Sequence, residues 1–217
     1  MKNKNKLSHI VHELGEHLPY SIFGVVVGII ILGILTFFSI ILNAGHLLPV
    51  AAKELFHIFH PIHILLSAVT TTAMFWKHER HFLKVLSIGF AGSIIICGLS
   101  DILLPYLGGE MLGIHMDLHI CALSHPSIVI SFAAIGVAMG FLVPSAIEKS
   151  TEFSHSMHIL VSSMASILYL ISFGFSQWTG MIGGVFFITF LAVILPCCLS
   201  DIVFPLSFIS RKSISSG

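Results

Sequence analysis

Two pairs of histidines, each spaced three residues apart, lie in long apolar segments of this chain: His60 with His63, and His155 with His158. Residues three apart on an α-helix lie on the same face, so each pair can offer two imidazoles to one ligand. An ionisable side chain is costly in the hydrocarbon of a membrane and marks function by default. Imidazole is also the commonest metal ligand and titrates near neutral pH. The pairs therefore predict metal or proton chemistry.

A carboxylate and a thiol follow each pair, in the pattern Cys-x-Leu-Ser-Asp-Ile-x-x-Pro. The Cys and Asp of this pattern are four apart, which again places them on one helix face. Imidazole, carboxylate and thiolate together suit Zn²⁺, with Fe²⁺, Mn²⁺, Co²⁺ and Ni²⁺ as further candidates, whereas Ca²⁺ and Mg²⁺ prefer oxygen ligands. The predicted metal ligands are His60, His63, Asp101, His155, His158 and Asp201, with Cys97 and Cys197 as additional candidates.

Structural alternatives stay open for these residues. A buried histidine can cap a helix hydrogen bond, and a buried aspartate can bind a backbone amide. Free cysteine is a common small apolar core residue, so Cys97 and Cys197 also fit simple packing positions. Ser67, Ser100, Ser162 and Ser200 are expected to bond helix backbone or neighbouring helices rather than a substrate.

The whole arrangement is written twice. Residues 49–67 align with residues 144–162 without a gap at an offset of 95, and the Cys-x-Leu-Ser-Asp pattern recurs at an offset of 100. Because ionisable groups recur at matching positions, the repeat favours function over chance placement.

The composition identifies the environment. The 217 residues are 56% hydrophobic and only 9% charged, with a mean hydropathy of +1.01, whereas a soluble domain has about 25% charged residues. We therefore expect an integral membrane protein in contact with the lipid bilayer. The formal net charge of zero gives no indication of a nucleic-acid partner.

Six segments are long and apolar enough to cross the membrane as helices. They are residues 20–42, 55–76, 82–107, 128–143, 153–175 and 181–208. Lysine and arginine cluster before the first segment, between the second and third, and after the sixth. The positive-inside rule then predicts a protein of the cell inner membrane with both termini in the cytoplasm.

Three spans per repeat is an odd number, so the second copy must enter the membrane upside down. The predicted fold is an all-α integral membrane protein of six transmembrane helices in two inverted three-helix repeats, an architecture of secondary transporters. The predicted parts are a cytoplasmic amphipathic tail (1–18), the first repeat (19–110), an extracytoplasmic loop (111–125), the second, inverted repeat (126–210) and a cytoplasmic tail (211–217).

Peripheral features add softer expectations. Pro61 and Pro196 lie within predicted spans and predict broken backbone hydrogen bonds beside the sites. Gly24-x-x-x-Gly28 and Gly136-x-x-x-Gly140 allow close helix contact, either internal or in a homodimer. Two polar clusters are candidate ion collectors, namely the tail residues His9, His12, Glu13, Glu16 and His17 and the loop residues His115, Met116, Asp117, His119, Cys121 and His125.

The function predicted from the sequence is secondary transport of divalent transition metal ions, with zinc as the first candidate. Alternating access between the repeats would move the ion, and proton exchange at the ligands would couple to it. An intramembrane zinc-dependent hydrolase is the first alternative, and a haem- or quinone-binding redox protein is the second. The duplicated ligand set favours a transporter over an enzyme, which needs one asymmetric site.

Overall fold

The computed structural model describes the backbone of residues 2–78, 80–142, 151–175 and 177–208, and the side chains of residue 15 and residues 17–76, 80–142, 156–175 and 177–196. The side chains of three predicted metal ligands, His155, Cys197 and Asp201, lie outside the described residues. The same holds for Ser200 and for His9, His12, Glu13 and Glu16 of the tail.

Within these described residues the chain is helical and contains no strand. The helices are α1 (Lys2–Ile41), α2 (Leu48–His78), α3 (Phe82–Gly98), α4 (Leu104–Met111), α5 (Cys121–Ser124), α6 (Pro126–Leu142), α7 (Thr151–Phe173) and α8 (Ile182–Phe208). Short 3₁₀ turns at Gly45–Leu47 and Trp178–Met181 precede α2 and α8, and a π-helical segment at Leu99–Leu103 joins α3 to α4.

Five stretches are long and apolar enough to cross a membrane: His17–Ile41, Gly45–Trp76, Phe82–Met111, Ser156–Phe173 and Trp178–Pro196. The remaining predicted span corresponds to α6, an apolar helix of 17 residues. On α1, large apolar side chains point outward, with Phe23 63% and Ile40 65% exposed. Exposed apolar surface of this kind suits lipid, and with the helices it makes the chain an all-α membrane protein.

Two helices, α2 and α7, form the centre of the bundle. They pack against each other, and α2 also packs on α6 and α3 while α7 packs on α1 and α8. Phe56 of α2 contacts Phe173 of α7, and His63 contacts His158. Since residue numbers rise along one helix as they fall along the other, α2 and α7 are antiparallel.

The glycine pairs are packing positions inside one chain. A Cβ on Gly136 of α6 would lie 2.5 Å from the Leu65 carbonyl oxygen, and one on Gly140 would lie 2.6 Å from the Thr72 Cβ. On α1, a Cβ on Gly24 would lie 2.9 Å from the Ile159 Cγ2 atom. Such distances leave no room for a side chain, so glycine lets α1 and α6 approach the central helices closely.

We expect Gly136→Ala to destabilise the fold by about 1–3 kcal/mol, the usual cost of overpacking, because the added methyl meets backbone that cannot move aside. The readout is the thermal unfolding midpoint in detergent. Gly33→Ala on α1 is the matched control, since a Cβ there meets nothing within 4 Å. An equal effect of the two substitutions would contradict the close packing of α6 on α2.

The main irregularity of the backbone lies at Asp101, which the sequence did not predict. The N–H of Leu104 donates to the carbonyl of Leu99, five residues earlier, as in a π-helix. Pro105 follows at the start of α4 and has no N–H to donate to the Asp101 carbonyl four residues before it. The helix widens where proline removes its regular bond, and π-segments of this kind are frequent at functional sites.

Neither Pro61 nor Pro196 has an N–H to donate, so each removes a backbone hydrogen bond as expected, but neither ends its helix. Both prolines lie inside continuous helices, α2 and α8. Pro61 removes a single helical hydrogen bond, and the packing of α2 against three neighbouring helices holds it together.

Candidate metal centre

Asp101 lies at the centre of a buried polar network. One carboxylate oxygen, Oδ2, accepts a hydrogen bond from His60 Nδ1 at 2.8 Å and another from His63 Nδ1 at 2.8 Å. The three side chains are at most 2% exposed. The predicted association of His60, His63 and Asp101 is therefore present in the structure, and it joins α2 to the π-segment.

The other carboxylate oxygen is held by hydroxyl groups. Ser100 Oγ donates to Asp101 Oδ1 at 2.7 Å, and Ser162 Oγ of α7 donates to the same atom at 3.3 Å. Ser166, one turn further along α7, donates to the Ser100 carbonyl oxygen at 3.1 Å. These bonds distribute the carboxylate charge over three helical elements and fix its orientation, since a buried charge must be fully hydrogen-bonded.

The hydrogen bonds also determine which ring nitrogens remain available. An ionised carboxylate only accepts hydrogen bonds, so His60 and His63 both donate through Nδ1–H. In a neutral imidazole the other nitrogen, Nε2, then carries a lone pair. A carboxylate that binds one ring nitrogen while the second faces a metal is the usual outer-shell arrangement of metal-binding histidines.

His158 of α7 completes the described part of the network. Its Nε2 atom lies 2.9 Å from His63 Nε2, and the two ring planes are 89° apart. Because His63 Nε2 carries a lone pair when neutral, a hydrogen or a cation must lie between the two nitrogens. The contact is thus an N–H···N hydrogen bond between α2 and α7, unless a cation takes the place of that hydrogen.

Cys97 is fully buried one turn before Asp101 and belongs to the hydrophobic core. Its side chain therefore occupies a packing position on the same helix as the carboxylate. A role as a metal ligand stays a prediction.

A second histidine cluster lies at the end of the bundle that carries the loop between α4 and α6. His57, His119 and His125 each offer a ring nitrogen, and these nitrogens all lie within 4.8 Å of one another. His57 Nε2 is 3.1 Å from His119 Nε2. The sequence pattern indicated His119 and His125 but not His57, although His57 lies one turn before His60 on α2.

Other loop residues that the sequence grouped here have different roles. His115 is exposed beside Glu110, whereas Met116 is buried. Cys121 Sγ lies 4.0 Å from His119 Nε2, and burial raises the pKa of its thiol to about 12 in the metal-free protein. Burial, together with the nearby His57, lowers the pKa of His119, which favours its neutral, metal-binding form.

Tyr169 of α7 fastens the loop to the bundle. Its hydroxyl accepts a hydrogen bond from the His119 backbone N–H at 3.2 Å and donates one to the Asp117 carbonyl oxygen at 3.2 Å. The N–H of Asp117 donates to the Phe173 carbonyl oxygen at 2.8 Å. These bonds fix the position of the loop backbone at His119.

We expect Tyr169→Phe to weaken this attachment without unfolding the bundle, because the ring is retained while both loop bonds are lost. Each lost hydrogen bond of about 1 kcal/mol corresponds to roughly five-fold faster exchange of the amides that it protects in the loop. Hydrogen–deuterium exchange of peptides covering residues 112–120 measures it, with peptides from α6 as the internal control. Unchanged exchange in the loop would contradict the role of the hydroxyl.

An aromatic group separates the two histidine clusters. Phe56 stacks on the His60 ring at 5.3 Å between centroids and meets Tyr169 and Phe173 edge-on at 5.4 and 6.0 Å. Phe56 is itself completely buried. The clusters are therefore distinct sites with apolar packing between them.

Fold and site together define an all-helical membrane protein with a buried carboxylate–imidazole network. Comparisons with protein-family models, curated proteins and solved structures find no match.

Proposed function

We propose that this protein is a secondary transporter of divalent transition metal cations, with zinc as the first candidate. The observation that carries the proposal is the buried contact between His63 and His158, at 2.9 Å between their Nε2 atoms. It joins two central helices through two imidazole nitrogens that share one hydrogen, which a metal ion could replace, and Asp101 orients the His63 ring.

The proposal includes the inverted repeat, and the same contact supports it. His63 and His158 are equivalent residues of the two repeats, 95 positions apart, and they meet through the same atom. When a two-fold axis relates two units, a residue that contacts its own equivalent lies beside that axis. Since α2 and α7 are antiparallel, the axis runs across them, in the plane of the membrane.

The glycine contacts support the same symmetry independently. Gly136 packs on Ala68 of α2. Gly24 packs on Ser163 of α7, which lies 95 positions after Ala68 and is its equivalent in the repeat. The next glycines repeat the match, because Gly140 contacts Thr72 and Gly28 contacts Ile167. These matches support the proposal that α6 is the equivalent of α1 and the fourth of six spans; its 17 residues are at the lower limit for crossing.

The sequence repeat makes Asp201 and His155 the counterparts of Asp101 and His60, and we propose an equivalent role for them. If Asp201 binds His155 and His158 as Asp101 binds His60 and His63, both facing Nε2 atoms carry lone pairs. Two lone pairs repel unless a proton or a metal ion lies between them. Metal binding would then displace the proton, which couples the two ions.

The proposed direction of access follows from the inverted arrangement. In this proposal the His57 end of α2 and the loop that follows α4 face outside the cell, and both termini lie in the cytoplasm. Rocking of the two repeats then exposes the contact between His63 and His158 to each side of the membrane in turn. The substrate is the metal ion itself.

Cation uptake by proteoliposomes containing the full chain tests this function. We expect uptake of Zn²⁺ or Co²⁺ above that of protein-free vesicles, and no comparable uptake of Mg²⁺ or Ca²⁺, which prefer oxygen ligands. Uptake of none of the transition metals, or equal uptake of all four cations, would overturn the proposal.

A further inference from the structure

We propose that His57, His119 and His125 form a second metal site, separate from the buried network, that binds a late divalent transition metal cation at the extracytoplasmic mouth. The metal-binding part of this inference stands on the cluster alone. The capture of ions for passage inward rests on the proposed transport function.

The ligand geometry fits a metal ion. Nitrogen ligands about 2.0–2.1 Å from a tetrahedral Zn²⁺ are about 3.3 Å from one another. His57 Nε2 and His119 Nε2 are 3.1 Å apart, so only a small movement is needed. His125 packs edge-on against His57 at 4.8 Å between ring centroids and supplies the third nitrogen. Three imidazoles leave a fourth position for water or an incoming ligand.

Accessibility and chemistry both suit an entry site. His125 is exposed and the other two rings are partly buried, so ions can reach them from solvent. Lys53 and Glu54, about one turn before His57, carry opposite charges. A neutral set of nitrogen ligands favours Zn²⁺, Co²⁺, Ni²⁺ or Cu²⁺ over Mg²⁺ and Ca²⁺.

The ligands are held in place before any ion binds. The His119 ring stacks on Phe173 at 4.9 Å with an 11° angle between planes. The hydroxyl of Tyr169 fixes the His119 backbone. Preorganisation of this kind reduces the ordering cost of binding.

The site lies one helical turn from the buried network, since His57 and His60 are neighbours on α2. Phe56 fills the space between them, stacked on His60. An ion that passes from the mouth to the network must therefore displace the Phe56 ring. Each of the two sites can then be occupied while the other is empty.

Cobalt binding to the full chain in lipid nanodiscs tests the site, with His63→Gln/His158→Gln as the background so that the buried network does not contribute. Equilibrium dialysis and the visible spectrum of Co²⁺ are the readouts. We expect one bound Co²⁺, and at least 10-fold weaker binding after either His57→Gln or the exposed substitution His125→Gln. His115→Gln, on the same loop, is the control and should leave the affinity unchanged.

Two outcomes would overturn the inference: no bound Co²⁺ in the background protein, or His57→Gln and His125→Gln binding with unchanged affinity. The exposed position of His125 makes a folding defect an inadequate explanation for its effect. If the wild-type protein takes up no metal into proteoliposomes but the background protein binds Co²⁺ as expected, the transport function is refuted and the metal site is confirmed.

Discussion

Asp101→Asn is expected to reduce metal uptake between 10- and 100-fold, the range typical for loss of an outer-shell carboxylate. The carboxylate accepts four hydrogen bonds, from two imidazoles and two serine hydroxyls. An amide has one accepting oxygen, and its NH₂ group would face donors. His60 and His63 would then lose their shared orientation, and their Nε2 lone pairs would no longer be fixed.

The measurement is the initial rate of Zn²⁺ or Co²⁺ uptake into proteoliposomes, normalised to the amount of reconstituted protein. Asp117→Asn is the matched control, because its side chain is exposed in the loop. We expect Asp117→Asn to retain the wild-type rate. Wild-type uptake by Asp101→Asn would show that the buried carboxylate serves only the fold.

The second large effect concerns the contact between the two central helices. His63→Gln and His158→Gln should each remove most of the uptake, and the double substitution should be no worse than either alone. The effects of substituting two residues that contact each other and the same ligand are not additive. Their Nε2 atoms are 2.9 Å apart, so a single ion between them needs both.

The control for this pair is His81→Gln, an exposed histidine between α2 and α3, which should retain uptake. A double-mutant cycle on uptake and on Co²⁺ affinity measures the coupling between His63 and His158. Losses that simply add would contradict a shared site.

The sequence predicted the association of His60, His63 and Asp101 because the repeat and the helical spacing both point to it. It also predicted an all-helical membrane protein from composition and span length. The division into six spans and two inverted repeats stays a proposal, since α6 is shorter than the other five candidate spans.

Other features depend on three-dimensional packing that spacing does not encode. Helical periodicity indicates that two histidines share a face, but the approach of α3 to α2 decides that their Nδ1 atoms bind Asp101. Pro105, four residues after Asp101, is the sequence feature that accompanies the π-segment, but proline alone does not distinguish a π-segment from an ordinary helix start. His57 was missed because its partners, His119 and His125, are more than 60 residues away and come from a loop.

The serine assignments illustrate the same limit. Ser162 bonds a neighbouring helical element and Ser100 also contacts the Cys97 carbonyl oxygen, as expected, but the sequence did not indicate that both hydroxyls contact the Asp101 carboxylate. A hydroxyl on a membrane helix usually bonds its own backbone, so only the crossing of α7 over the π-segment reveals the second use.

The central claim is that one cation is held between the two central helices. X-ray absorption spectroscopy of the zinc-loaded protein tests it most directly. The measurement uses His57→Gln/His125→Gln protein, so that the mouth cluster does not contribute. The account predicts imidazole nitrogen at about 2.0–2.1 Å, with that imidazole signal diminished when either His63→Gln or His158→Gln is added. A zinc environment unchanged by both substitutions would contradict the claim.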